Sequence, residues 1–314
     1  MITRRRLFIS FSGGRTSALM TMRLLSLVAH LRDLGIDIDV VVIFANTGQE
    51  DEETLRFVDR CDRILGFNVV WLQAVIDPRH GKGTRHEVVS FETAARASEP
   101  FEDEIAKYGL PNRNYPHCTR ELKLAPMYSY LRDIGWEAGS FTTAIGIRAD
   151  ERDRVSVRAD EKGIIYPLVR WGMRKPDVIE RFKLLPFDLY LPEHMGNCLT
   201  CWKKTLRKHL TLIKQRPEAY DFAERMETEY GLVKQAPGQP PRRMFREGRS
   251  VADLRAEAAK PFDEWRDDHE AFDPQLDVGG ACEESCEVHS DDDEAMLGDW
   301  SAGGADLSDW DLAA

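Results

Sequence analysis

Cysteines supply the most versatile chemistry in this chain, because a thiolate can act as a nucleophile, a redox partner or a metal ligand. Cys198 and Cys201 form a Cys-x-x-Cys pair, and Cys118 lies about 80 residues before it, directly after His117. Basic side chains follow the pair at positions 203, 204 and 207, where they would offset negative charge on a cluster. This spacing predicts a metal or redox centre.

Three kinds of centre suit these residues. A 4Fe–4S cluster on Cys118, Cys198 and Cys201 is the leading interpretation, with His117, a cysteine of the C-terminal tail or an open iron in the fourth position. Structural zinc held by the same three sulfurs and one imidazole is the first alternative. A redox dithiol is the second alternative. Cys61 lies on an apolar helix face and is interpreted as a buried small hydrophobic residue.

A glycine-containing segment near the N-terminus has the composition of a phosphate-binding turn. The apolar run of residues 7–9 meets Ser12, Gly13 and Gly14, and the helical pattern of residues 18–34 follows at once. Glycines let a ligand approach the backbone closely, and the first turn of a helix offers N–H groups and the positive end of its dipole. The sequence therefore predicts an anion site here. Its candidate residues are Ser12, Gly13, Gly14, Arg15, Thr16 and Ser17.

Strands and helices alternate along the body of the chain and must position these residues. Strands are predicted at 7–9, 36–44, 68–74 and 141–147, and helices at 18–34, 52–65 and 88–107. This alternation predicts an α/β fold with a doubly wound parallel sheet. Ligands of such sheets lie at the carboxyl ends of the strands. Both the glycine turn and Asn46-Thr47-Gly48 fall at such ends.

The segment Ser12-Gly13-Gly14-Arg15-Thr16-Ser17 resembles the PP-loop, Ser-Gly-Gly-x-x-Ser, of the adenine nucleotide alpha-hydrolase-like superfamily. Further blocks resemble, in the same order, the phosphoadenosine phosphosulfate (PAPS) reductase family of that superfamily. The resemblance covers about residues 7–215 and implies the HUP-like form of the sheet. The further blocks are Asn46-Thr47-Gly48, Cys118 with Lys123 and Pro126, Arg148 with Arg154, and Tyr166-Pro167-Leu168.

The resemblance implies an adenine nucleotide ligand: PAPS, adenylyl sulfate (APS), or ATP with Mg²⁺. It also implies catalytic roles for Cys118, Arg148 and Cys286. Cys286 faintly resembles the cysteine of a mobile C-terminal segment that attacks the sulfate in PAPS reductases. The implied nucleotide-binding residues are Ser12, Gly13, Gly14, Arg15, Thr16, Ser17, Asn46, Thr47, Gly48, Lys123, Arg148 and Arg154.

The resemblance implies that the protein reduces adenylylated sulfate with thiol or iron–sulfur assistance and a thioredoxin-like reductant. Thr16 stands where ATP-using members usually carry Asp, which favours this reductase function. The alternative is an ATP-dependent sulfurtransferase that modifies nucleic acid, by tRNA thiolation or DNA phosphorothioation. A nucleotide-binding protein without turnover is the second alternative.

The net charge of −11 conceals a mildly basic body, because no Lys or Arg follows Arg266. We expect a PP-loop domain with the cysteine cluster at 1–215, a helical and basic extension at 216–266, and an acidic, largely disordered tail at 267–314. The N-terminus lacks a signal-peptide pattern, and no apolar run approaches the roughly 18 residues of a membrane span. We therefore expect a cytoplasmic protein without a membrane partner.

Overall fold

The computed structural model describes residues 5–267 and 272–277, and six strands and ten helices lie within them. The strands are β1 (Arg5–Ser10), β2 (Ile38–Asn46), β3 (Val69–Val75), β4 (Arg85–Val89), β5 (Thr142–Ile145) and β6 (Ile164–Ile165). The helices are α1 (Arg15–Asp33), α2 (Glu52–Leu65), α3 (Glu99–Tyr108), α4 (His117–Thr119), α5 (Ala125–Asp133), α6 (Pro167–Arg170), α7 (Lys175–Lys183), α8 (Leu206–Gln215), α9 (Asp221–Tyr230) and α10 (Val251–Ala258). A π-helical turn, Arg120–Leu124, joins α4 to α5.

The strands form one sheet in the order β4-β3-β2-β1-β5-β6. Every neighbouring pair is parallel except β3 and β4. Ser10 at the end of β1 pairs with Ile43 of β2 on one side and with Ile145 of β5 on the other. The carboxyl ends of β1, β2 and β5 therefore meet at one edge. The predicted α/β fold is confirmed, and the sheet is mostly parallel, with β4 as an antiparallel edge strand that the prediction lacked.

Both faces of the sheet are covered, as the apolar character of its central strands requires. Side chains alternate along β1, so Leu7 and Ile9 join one hydrophobic cluster and Phe8 joins another. The first cluster also contains Leu19 of α1, and the second contains Met127 of α5. These helical layers fix the edge at which the predicted site residues lie.

The C-terminal helices pack into the same core as the sheet. Tyr220, Met226, Phe245 and Leu254 belong to the hydrophobic cluster that contains Leu7 of β1. The extension predicted at 216–266 is thus continuous in its packing with the residues before it. Within the described residues, no helix is both long and apolar enough to cross a membrane.

His209 on α8 is a buried histidine that should make stability depend on pH. Its Nδ1 lies 2.6 Å from the Tyr220 hydroxyl, and burial lowers its pKa to about 3. In the unfolded chain the pKa is about 6.5, so below that pH the unfolded state binds a proton that the folded state does not. The free energy of unfolding should fall by up to about 1.4 kcal/mol per pH unit as the pH drops from about 6.5 towards 3.

We therefore expect His209→Asn, which keeps a polar partner for Tyr220 but does not titrate, to flatten this dependence. Urea unfolding between pH 4.5 and 7.5 measures it, with the exposed His30→Asn as the control that keeps the wild-type slope. Equal slopes for wild type and His209→Asn would contradict the expectation.

Candidate functional site

The turn between β1 and α1 is built around a glycine that no other residue can replace without strain. Gly13 has φ +79°, and a Cβ atom there would lie 3.0 Å from the Thr54 side chain. The flanking hydroxyls hold the turn: Ser12 and Ser17 place their Oγ atoms 2.9 Å apart, and Ser17 Oγ donates to the Gly14 carbonyl at 3.0 Å. The predicted hydroxyl–glycine turn is therefore a closed local structure.

The N-terminus of α1 has the properties of an anion site. Gly14 is its N-cap residue, so no side-chain hydrogen bond caps the helix, and its first turn contains no acidic residue. The partial positive charge at the start of this helix of 19 residues is thus not offset by a carboxylate within its first turn. A phosphate or sulfate group would find favourable dipoles and backbone N–H groups here.

Arg15 ties this turn to the chain that follows α7. Its guanidinium pairs with Asp188 at 2.6 Å and also donates to the Leu189 carbonyl. The cavity between the turn and the segment from Leu189 to Asn197 measures only about 10 Å³. That volume holds about one water molecule. A phosphate at the turn therefore requires this segment to shift.

The loop after β2 meets the Cys-x-x-Cys segment. Leu199 N donates to the Gln49 carbonyl at 2.9 Å, and Cys198 Sγ lies 3.4 Å from Thr47 Oγ1. Glu50 Oε1 lies 3.8 Å from the same sulfur and also accepts from the Thr47 hydroxyl at 2.8 Å. The thiol can donate to this carboxylate, which is placed to act as a general base. The structure thus brings two separately predicted motifs together.

Two further residues of the β2 loop have structural partners. The Asn46 side chain donates to the Ala95 carbonyl at 2.9 Å, and its Oδ1 accepts from Gly48 N at 3.3 Å. Gly48 has φ +79°, and a Cβ atom there would lie 2.9 Å from Ser98 Cα. Asn46 and Gly48 therefore shape the loop, while Thr47 faces the Cys198 sulfur.

A buried lysine that sequence reasoning treated only as a positive charge fixes the Cys-x-x-Cys turn. Lys204 is 1% exposed and donates to the His194 carbonyl at 2.7 Å and to the Leu199 carbonyl at 2.9 Å. Within the turn, Cys201 N donates to the Cys198 carbonyl at 3.2 Å. The lysine thus joins both sides of the segment that carries the two thiols.

The Cys118 block lies close to the same turn. Lys203 Nζ is 3.5 Å from Thr119 Oγ1, and Cys118 itself is half-buried. The π-helical turn that follows contains the predicted ligand residue Lys123, which is buried. Such turns inside helices frequently occur at functional sites. The two cysteine segments thus contact each other through Lys203 and Thr119.

His117 faces a carboxylate that the sequence did not point to. Its Nδ1 contacts Glu104 of α3, whose carboxyl is fully buried, and burial raises the pKa of Glu104. His117 Nε2 is buried without a hydrogen-bond partner. Carboxylates commonly orient histidines in this way. The sequence could not predict this contact, because no regular spacing within a helix or strand brings Glu104 next to a histidine 13 residues later.

Across residues 5–267 and 272–277, no three or more His, Cys, Asp or Glu side chains form a group that could hold a metal ion. The iron–sulfur cluster and the zinc site therefore remain predictions. Cys286 and Cys282 lie outside the described residues. Cys61 is buried in the core, as expected.

Arg148 follows β5 and reaches the glycine turn, as the order of the strands requires. Its Nη1 lies 3.3 Å from Thr16 Oγ1, yet the side chain is only 1% exposed. Its Nε lies 3.2 Å from Asp150 and 3.5 Å from Glu151. Arg154 also pairs with Glu151. Both guanidinium groups are thus paired with carboxylates, and a nucleotide-binding role for either arginine remains a prediction.

This burial makes Arg148 important for stability. Arg148→Met should lower the free energy of unfolding by about 3–5 kcal/mol, because it leaves Glu151 buried with less positive charge beside it. The control is Arg158→Met, since the Arg158–Glu161 pair is mostly exposed and should contribute at most about 1 kcal/mol. Urea unfolding at pH 7 measures the free energy of unfolding of both variants. Equally small decreases in the two variants would contradict a structural role for Arg148.

Comparison with known proteins identifies relatives without naming a function. The chain is 38% identical over 203 residues to the uncharacterized nin region protein ORF290 of Escherichia phage lambda. This match covers 64% of this chain and 67% of the phage protein. It is 29% identical over 130 residues to the uncharacterized protein MJ0066 of Methanocaldococcus jannaschii, and 29% identical over 123 residues to MJ0973 of the same organism. These matches cover 41% and 39% of this chain, but only 20% and 22% of the archaeal proteins. No protein-family model and no solved structure matches the chain.

Proposed function

The chain belongs to the family of the phage lambda nin region protein ORF290, and on that premise we propose that it is a PP-loop enzyme that binds an adenine nucleotide and performs sulfur chemistry. One observation carries the proposal: the uncapped start of α1 and the Cys198 thiol lie beside the carboxyl ends of neighbouring strands. A phosphate site and a nucleophile at one sheet edge are what a reaction on an adenylylated sulfur compound needs.

The strand order supports a doubly wound sheet of the PP-loop type. The chain builds outward from β1 to β2 and β3 on one side, and to β5 and β6 on the other. Ligands of such sheets bind where the order reverses, which here is the end of β1. The Ser12-Gly13-Gly14 turn stands at that point.

The leading reaction is the reduction of an adenylylated sulfate, PAPS or APS. Cys198 transfers its proton to Glu50, and the thiolate attacks the sulfate sulfur. The bond from that sulfur to the phosphate oxygen breaks, and the adenosine phosphate leaves with the electron pair. Cys201 then loses its proton to solvent and attacks the Cys198 sulfur, so that a disulfide forms and sulfite leaves with the electron pair of the bond that breaks. A thioredoxin-like dithiol restores the two thiols.

ATP-dependent sulfur transfer to a nucleic acid is the second candidate. The observation that favours it is an exposed aromatic and basic surface beside Cys118, which is described below. In that case the nucleotide site would hold ATP, and the acceptor would bind at this surface. The steps written above assign no part to Cys118, Arg148 or Cys286, whose catalytic roles remain predictions from the sequence.

Product analysis tests the proposal and separates its versions. The full chain is incubated with PAPS or APS and a reduced thioredoxin, or with ATP, a sulfur donor and an oligonucleotide. Sulfite with the adenosine phosphate supports the reductase, whereas AMP, pyrophosphate and a thiolated oligonucleotide support the transferase. Absence of all these products, together with no adenine-nucleotide binding in calorimetry, would contradict the proposal.

A further inference from the structure

The basic, proline-rich segment at 237–249 is anchored to the body of the protein. Arg242, Met244 and Phe245 are buried. Arg243, which lies between Arg242 and Met244 in the chain, is exposed. The Asn112 side chain donates to the Arg243 carbonyl at 2.9 Å. The segment therefore presents Arg243 from a fixed backbone.

Arg242 serves as a support for an aromatic ring. It is 6% exposed, and its Nη1 donates to the Tyr108 and Leu110 carbonyls, each at 3.2 Å. Its guanidinium carbon lies 3.9 Å from the centroid of the Tyr115 ring. Tyr115 is 46% exposed. One face of this ring is thus backed by a fixed cation, while much of the side chain is open to solvent.

The turn that carries Tyr115 is itself ordered. Asn112 and Tyr115 exchange backbone hydrogen bonds at 3.2 and 3.1 Å, and Asn112 Oδ1 accepts from Asn114 N at 2.9 Å. The ring therefore needs little ordering before it can stack on a ligand.

Two exposed arginines are close to this ring in the chain or next to the cation that supports it: Arg113 precedes Tyr115 by two residues, and Arg243 follows Arg242. Arg113 is exposed, and the described part of the protein gives it no ion pair or hydrogen bond. Arg243 is 43% exposed, and the described acid that pairs with it is the buried Glu227 at 4.0 Å. Both cations are available to a phosphate group.

We propose that Arg113, Tyr115 and Arg243 form a surface that binds single-stranded nucleic acid. A base stacks on Tyr115, and the adjoining phosphates meet the two arginines. An aromatic platform between guanidinium groups suits a polymer that repeats base and phosphate, whereas an acidic peptide would use only the charges.

From the position of this surface, we infer that it binds the nucleic-acid acceptor of the sulfur-transfer reaction. Tyr115 is three residues from Cys118, so their Cα atoms are at most about 11 Å apart. A nucleotide stacked on Tyr115 therefore lies near Cys118. This inference rests on the second candidate function, in which the bound strand would be the sulfur acceptor. Nucleic-acid binding can be measured without any turnover.

Fluorescence anisotropy of the full chain with a labelled single-stranded DNA of 20 nucleotides tests the surface at 50 and 200 mM salt. Tyr115→Ala should weaken binding by about 5- to 150-fold, the range for one stacked base, whereas Tyr115→Phe should bind like wild type. Arg113→Gln and Arg243→Gln should each reduce the slope of log affinity against log salt by about 0.7.

The matched control is Tyr190→Ala, which removes a second exposed tyrosine that has an arginine, Arg60, near its ring. Its affinity for DNA should not change. Wild type that fails to bind the DNA, equal losses for Tyr190→Ala and Tyr115→Ala, or complete competition by polyglutamate would each overturn the proposal. Calorimetry with adenine nucleotide on the Tyr115, Arg113 and Arg243 variants should show no change in affinity, so a failure of the nucleotide site is detected separately from a failure of this surface.

Discussion

Gly14→Val is expected to abolish adenine-nucleotide binding while the protein stays folded. Gly14 has φ −103° and ψ 162°, which valine adopts readily, so the backbone is not strained. The branched side chain would instead occupy the space through which a phosphate approaches the first N–H groups of α1. Loss of two charge-assisted hydrogen bonds at about 1.5–3 kcal/mol each corresponds to at least about 100-fold weaker binding. Calorimetry measures this loss.

The control for this prediction is Gly83→Val. Gly83 also has no positive φ, and a Cβ atom there would meet nothing within 4 Å. Its nucleotide affinity should equal that of wild type. A folded Gly14→Val protein with unchanged nucleotide affinity would contradict the assignment of the phosphate site to this turn.

Cys198→Ser is expected to lower sulfur turnover by at least about 10³-fold and to leave nucleotide affinity unchanged. A serine hydroxyl remains protonated beside Glu50, whereas a thiol can lose its proton and attack sulfur. The side chain is 8% exposed and borders Thr47, so the small change in size should preserve the loop. Sulfite release under single-turnover conditions measures the effect.

Cys61→Ala provides the matched cysteine control. Burial raises the pKa of Cys61, so this thiol stays protonated and unreactive. The variant should turn over like wild type. Full turnover by Cys198→Ser would show that Cys198 is not the nucleophile and would contradict the proposed first step.

Local signals in the sequence were sufficient to predict the glycine turn and its place in the fold. An apolar strand, a Gly-Gly pair and a helical pattern follow one another within about 25 residues. Turn chemistry and helix periodicity act over such distances. The same alternation predicted correctly that Thr47 would directly follow a strand, since β2 ends at Asn46.

Contacts between distant segments could not be read in this way. Residues 88–107 were predicted to form a helix, but Arg85–Val89 is an edge strand that pairs with β3, and the helix begins only at Glu99, next to Pro100. Strand pairing overrode the local pattern there. The buried positions of Lys204 and Arg148 likewise depend on carbonyls and carboxylates that tertiary packing brings to them.

Hydrogen–deuterium exchange with and without saturating adenine nucleotide decides whether the β1–α1 turn is the phosphate site. Amides at residues 12–17 should exchange more slowly with nucleotide bound, because they donate to its phosphates. Exchange at residues 189–197 should also change, since the cavity of about 10 Å³ must widen to admit a phosphate. Unchanged exchange at residues 12–17 in protein that calorimetry shows to be saturated would contradict the assignment.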